Sequence, residues 1–308
     1  MIANVSDVPE PVIEVAALTR HFGARAALDD VSLTVPRGIV FGLVGANGAG
    51  KTTLIKHVLG LLKALSGSVR VFGLDPVAEP ARVLRRIGYV SEEHDLPGWM
   101  CVWELLRYHQ AFYPNWDPAY AEGLRRRFEL DPAVRVKVLS KGQRARANLL
   151  VALAHRPELL VLDEPSSGLD PIVRRDILEA IIRAIADEGR TVLFSSHLLH
   201  EVERVSDHVT MINQGKIVFS APLDDIKETH RCLTLRFTDA RSGPPALTGA
   251  LAWEGTGHEW SAVCHGHAGE LQAAATRCGA QVLDQRVPSL DEIFVARVGT
   301  RLPPAAED

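Results

Sequence analysis

The stretch VGANGAGKTT, Val44–Thr53, restricts the fold more than any other part of the chain. Gly45, Gly48 and Gly50 let the backbone curl until successive N–H groups point at one place. The flanks supply the frame that such a curl needs. Upstream, VIEVAAL, VSLTV and IVFGLVG are short β-rich runs interrupted by Pro36, Arg37 and Gly38, and downstream KTTLIKHVLGLLKAL reads as a helix. Strand, glycine loop and helix in that order make a cradle for phosphate groups, with the positive end of the helix aimed at them. The candidate binding residues are Gly45, Asn47, Gly48, Ala49, Gly50, Lys51, Thr52 and Thr53. Lys51 reaches the β and γ oxygens, and Thr52 offers its hydroxyl to Mg²⁺.

The metal needs a carboxylate from a second element. ELLVLDEP supplies it, because an unbroken apolar run delivers Asp163 at the end of a strand, where α/β sheets bind ligands. Asp163 holds Mg²⁺ directly or through water, and Glu164, one position on, polarises the attacking water.

From residue 78 to residue 146 the pattern turns mainly helical, with Pro97, Pro114, Pro118 and Pro132 as punctuation, and reads as a helical subdomain inserted between core strands. The β pattern returns with ELLVLDEP and TVLFSSH, joined by the helix PIVRRDILEAIIRAIADEG, and HVTMINQGKIVFSA reads as a hairpin turning at Gln214-Gly215. After about Ile226 short strands and loops take over, with a helix at GELQAAATRC. The expected organisation is a tail over residues 1–10, a main domain over 11–225 and a C-terminal accessory domain over 226–308. A formal net charge of −4 does not suggest a general nucleic-acid binder, and none of the four cysteines stands in a CxxC pair. CHGH, Cys264 to His267, is a weak metal motif without a distant partner set. No stretch approaches the roughly 20 apolar residues of a membrane-spanning helix, and MIANVSDVPE lacks the marks of a secretory signal.

Three further motifs narrow the class: LSKGQ at Leu139–Gln143, SSGLD at Ser166–Asp170, and His197 at the end of TVLFSSH. In this order, with the glycine loop and the Asp-Glu pair, they make residues 11–225 resemble the ATP-binding cassette (ABC) family. The resemblance implies an α/β fold of the P-loop NTPase class: a mixed sheet core with an inserted helical subdomain, followed here by a small α+β domain. It implies that Phe22 stacks on adenine, that Glu164 is the general base, and that His197 contacts the γ-phosphate. Ser140, Gly142 and Gln143 would act in trans, on ATP held by a second cassette in a head-to-tail homodimer or heterodimer, and Asp170 would link the two sites. The implied partners are also integral membrane permease subunits, docked on LPGWMCVWELLRYHQAFYPNWD, with the chain peripheral on the cytoplasmic face of the membrane. The signature LSKGQRAR and the ending PSLDEIFVARVG look like cassettes of multidrug, lipid or small-molecule exporters. The alternative is a soluble ABC ATPase acting on ribosomes or nucleic acid, a class that usually carries two cassettes or a long heptad insertion.

Two positions depart from the family pattern. Glu92, in IGYVSEEHDLP, stands where a glutamine usually ligates Mg²⁺, and Lys141 stands where the signature has glycine. Lys141 either adds a charge contact to the phosphate in trans or points into solvent. A carboxylate oxygen is a harder Mg²⁺ ligand than an amide oxygen, while its added charge opposes the γ-phosphate unless the metal screens it. Glu92→Gln is therefore expected to keep steady-state ATPase activity within about tenfold, roughly 1.4 kcal/mol in the barrier. Complete loss of turnover would contradict this role.

Overall fold

The computed structural model describes residues 10–299 except 94 and 187–188, so residues 1–9 of the expected tail and 300–308 of the expected accessory domain lie outside the described residues. The chain divides into two compact units, residues 1–220 and 221–308. The first begins with β1 (Ile13–Phe22), β2 (Arg25–Val35), β3 (Val40–Val44), α1 (Lys51–Val58), β4 (Ser66–Val71), α2 (Pro80–Leu84) and β5 (Ile87–Val90). Then come α3 (Val102–Gln110), α4 (Pro118–Arg127), a 3₁₀ turn at Val136–Val138, and α5 (Lys141–Ala154). It continues with β6 (Leu159–Asp163), α6 (Pro171–Ala186), β7 (Thr191–Ser196), α7 (Leu199–Val205) and β8 (His208–Asn213), and the division falls near the end of β9 (Lys216–Pro222).

The core sheet runs β5-β6-β7-β3-β8-β9, with parallel pairing from β5 across to β8. Every residue of β3, β6 and β7 is buried, the state in which near-continuous apolar runs form central parallel strands. The strands read as leading to the glycine loop separate here. Only β3 feeds it, while β1 and β2 join β4 in a second, antiparallel sheet ordered β2-β1-β4. The segment read as helical from residue 78 contains β5, whose four residues pair with β6 as the sheet's edge. The continuous helical insertion begins after that strand.

Two local features fix how the elements meet. Gln214 and Gly215 have φ of 48° and 77°, the pair of positive values that a two-residue hairpin turn requires, so β8 reverses into β9 where the sequence placed the turn. At Gly42, in the middle of β3, an added Cβ would collide with the Val202 side chain and lie 2.7 Å from Ser206 Oγ, so α7 rests directly on the strand backbone.

The second unit contains α8 (Leu223–Glu228), β10 (His230–Arg241), β11 (Ala250–His265), α9 (Ala268–Arg277), β12 (Ala280–Arg286) and α10 (Leu290–Gly299). Its antiparallel sheet runs β11-β10-β12 over a core that includes Leu233, Leu235, Phe237, Trp260 and Leu271. Cys264 of CHGH points into that core, and burial pushes its thiol up to about 12. No helix among the described residues is long and apolar enough to cross a membrane.

His155, just after α5, is buried with its ring stacked on Tyr113 at 3.9 Å and Nε2 3.0 Å from the Ile87 carbonyl. Burial pushes its pKa down from 6.5 to about 4, against the pull of the Ile87 and Val151 carbonyls. The unfolded chain takes up a proton below pH 6.5 that the folded ring refuses until about pH 4. Stability is thus full above this window and falls through it, by about 3 kcal/mol from this group alone. Urea unfolding midpoints are expected to be lower at pH 5 than at pH 7.5, and His155→Phe, which keeps a ring against Tyr113, is expected to narrow the difference.

Candidate nucleotide-binding and hydrolysis site

Two of the loop's glycines have no room for a side chain. A Cβ on Gly45 would collide with the Ile212 carbonyl oxygen, and Gly50, at φ 115°, would carry one 2.5 Å from the Ala27 carbonyl oxygen. Gly48 takes φ 77°, and its carbonyl accepts a 2.8 Å hydrogen bond from Arg25 Nη2. The loop enters α1 with Gly50 as N-cap, and no side chain caps the helix, which leaves first-turn amides to face an anion.

Behind the loop, charges are packed closely. Lys51 Nζ donates to the Gly45 carbonyl at 2.6 Å and lies 2.9 Å from Glu164 Oε1, in an ion pair whose side chains are each 6% exposed. The other carboxylate oxygen of Glu164 sits 2.6 Å from His197 Nδ1 and accepts the His197 backbone N–H at 3.2 Å. Glu164 adopts φ 49°, a left-handed conformation that a non-glycine residue rarely takes, and its backbone N–H is held by Ser195 Oγ at 3.1 Å. Such strain is found where the surroundings over-determine a residue's position.

Ser195 also donates to Asp163 Oδ1 at 2.8 Å, so one hydroxyl spaces the two acidic residues. Burial pushes the Asp163 carboxyl up from its ordinary value; hydrogen bonds from Ser195 and Thr52 oppose this, and neighbouring Glu164 adds to it. A divalent cation would relieve that strain on the ionised form. The Thr52 hydroxyl and the Asp163 carboxylate offer the hard oxygen ligands that Mg²⁺ prefers, so these residues fit the metal.

A cavity of about 450 Å³ opens in front, lined by Phe22, Arg25, Asn47, Lys51, Glu92 and Glu164 among others. Phe22 is 50% exposed, with the Arg20 guanidinium 4.8 Å from its ring centre. Glu92 lies across the cavity, where its Oε1 accepts a 3.3 Å hydrogen bond from Ser167. Thr53, Ala49, Gly48 and Gly50 complete the wall near Lys51 and Thr52.

The remaining expected residues lie outside this cavity. Ser140 and Gln143 bind each other in a capping box at the start of α5, at 3.1 and 3.0 Å. Gly142 faces α6, where a Cβ would stand 2.6 Å from Val173. Asp170 caps α6 by accepting the Ile172 and Val173 N–H groups. The Lys141 side chain is exposed, with its Nζ beside Gly168 of its own chain. Sequence reasoning also missed Arg25 and Ser195. The small polar pair that ends the apolar run TVLFSS was a usable signal for Ser195, but Arg25 had none.

Known proteins resemble the chain in sequence and in fold. The family model described as ABC transporter matches residues 28–167. The bacitracin transport ATP-binding protein BcrA of Bacillus licheniformis is 33% identical over 231 residues, covering 71% of this chain and 72% of that protein. The Nod factor export ATP-binding protein I of Rhizobium meliloti is 30% identical over 321 residues, covering 96% of this chain and 90% of that one, so the likeness continues into the second unit. A solved structure described as the ATP binding subunit of an ABC transporter superposes with a TM-score of 0.65 at 31% identity, covering 70% of this chain and 92% of that one. With a phosphate loop and Glu164 at one cavity, His197 and Asp163 packed beside them, and relatives alike over this length, the chain belongs to the ABC transporter family as an ATP-binding subunit.

Proposed function

We propose that this chain powers export through separate membrane subunits, as one of two cassettes that close on ATP and open after hydrolysis. The observation that carries the hydrolytic part is the placement of Glu164, gripped on one oxygen by Lys51 and on the other by His197. Phosphate oxygens compete for the Lys51 ammonium. When they win, Glu164 Oε1 loses its partner and becomes free to accept a proton from water, while His197 keeps the carboxylate oriented. Thr52, Glu92 and Asp163 would hold Mg²⁺, which when bound would neutralise charge on the β and γ oxygens. Phe22 offers its exposed ring to the base, and Arg20 reinforces that ring from its side.

The trans role of Ser140, Gly142, Gln143 and Asp170 is supported by their position, since they lie outside the cavity built by Lys51 and Glu164 of the same chain. The membrane-facing role rests on the helical insertion. There Trp99, Trp103, Tyr108 and Phe112 are exposed, between 46% and 70%, more aromatic surface than a solvated face needs. Export as the direction is supported by the name of the Nod factor export relative. The same reading places the chain on the cytoplasmic face of the membrane.

Removing the general base while keeping the shape separates binding from chemistry. Glu164→Gln is expected to lower kcat by about 10²- to 10⁴-fold and to accumulate a dimer in Mg-ATP, visible by size-exclusion chromatography and absent in ADP. A variant that hydrolyses at the parent rate would remove Glu164 from the chemistry. Affinity isolation of the tagged chain from membranes is expected to recover one or two polytopic membrane proteins. Recovery with ribosomes or nucleic acid alone would favour the soluble alternative.

A further inference from the structure

Glu201 is a carboxylate that the hydrolytic reading does not use, and it is fully buried, at 0% exposure, in the first turn of α7. Its Oε2 accepts hydrogen bonds from Ser166 Oγ at 2.6 Å and Ser196 Oγ at 3.2 Å, and its Oε1 lies 3.0 Å from Arg174 Nε. These partners come from three different places. Ser166 opens the loop that ends in Asp170, Ser196 immediately precedes His197, and Arg174 stands in the first turn of α6.

Each partner extends the contact further. Ser196 Oγ accepts the Leu198 N–H at 3.0 Å, so both residues flanking His197 are tied to one hydroxyl. Arg174 Nη2 reaches the Leu169 carbonyl at 3.5 Å, so the Glu201–Arg174 pair touches the 166–170 loop at both ends. Between those ends, Ser167 donates to Glu92, which lines the cavity, at 3.3 Å. The contacts therefore run as a chain beside the site, from Glu92 through the loop to Glu201, and on through Ser196 and His197 to Glu164. A buried charge is expensive to keep without full compensation, and among the described residues this one is met by Ser166, Ser196 and Arg174, from the two loops and α6.

We infer that Glu201 is a positioning residue that couples the 166–170 loop to His197, so that a displacement of that loop is felt at the histidine that orients Glu164. This rests on the reading of Glu164 and His197 as hydrolytic groups. A rigid staple without such a role would affect folding stability and leave the turnover of folded protein alone.

The test uses the full chain and variants that each remove one hydroxyl: Ser166→Ala, Ser196→Ala and the double variant, together with Glu201→Gln as the isosteric change. Steady-state ATPase kinetics are measured alongside thermal unfolding. Each serine variant is expected to lower kcat by about fivefold or more with KM for ATP within about twofold, because ground-state binding does not pass through Glu201. The double variant is expected to match the more impaired single variant, since both hydroxyls act through one carboxylate. Glu201→Gln, which keeps an acceptor but loses the charge facing Arg174, is expected to remain folded with kcat reduced. Turnover unchanged in folded Ser166→Ala, or losses that multiply in the double variant, would overturn the coupling while leaving the hydrolytic reading intact. Parent protein that binds Mg-ATP without any turnover would overturn both.

Discussion

The Lys51–Glu164 ion pair is the contact on which the site's organisation depends. Two opposite charges 2.9 Å apart, each almost sealed from water, belong to residues held from three directions: Lys51 by the Gly45 carbonyl of the glycine loop, the Glu164 backbone N–H by the Ser195 hydroxyl of β7, and the Glu164 carboxylate by the His197 N–H after β7. A buried pair of this kind gives little net stability by itself, and breaking it by removing one partner costs about 3–5 kcal/mol. Its value lies in exchangeability. The cation is the group that phosphate recruits and the anion is the group that water needs, so binding of one reactant exposes the acceptor for the other.

The surrounding sheet makes this pairing possible. Three adjacent buried parallel strands, β6, β7 and β3, all end at the same edge, and their last residues lead into Asp163 and Glu164, Ser195 and Ser196, and Gly45. Register fixes these ends: Asp163 stands opposite Ser195, and Val44 opposite Ser196. A slip by one residue on any of the three would turn its terminal side chain to the other face of the sheet. The apolar runs that read as ordinary core thus determine which polar atoms meet at the strand ends.

Much of this was legible in the sequence because the decisive groups fall in contiguous motifs. The glycine loop, the Asp-Glu pair and His197 each follow a strand, and Gln214-Gly215 has the positive φ values its hairpin implied. What escaped has no local signature. Arg25 reaches Gly48 across 23 residues, and Ser166 reaches Glu201 across 35, so only the folded chain joins them. Likewise β1 and β2 carry the same β-rich character as β3 yet belong to another sheet, since local character does not specify a strand's partner. The four residues of β5 are too few for any periodicity to show inside a helical region.

The close approach at Gly42 has a mechanical meaning. With no side chain between them, the backbone of β3 and the Val202 and Ser206 side chains of α7 touch directly, two residues before the strand ends at Val44. The helix that holds Glu201 and the strand that carries the phosphate loop therefore form one frame of reference. The loops that carry Gly45 and His197 are both anchored to that frame.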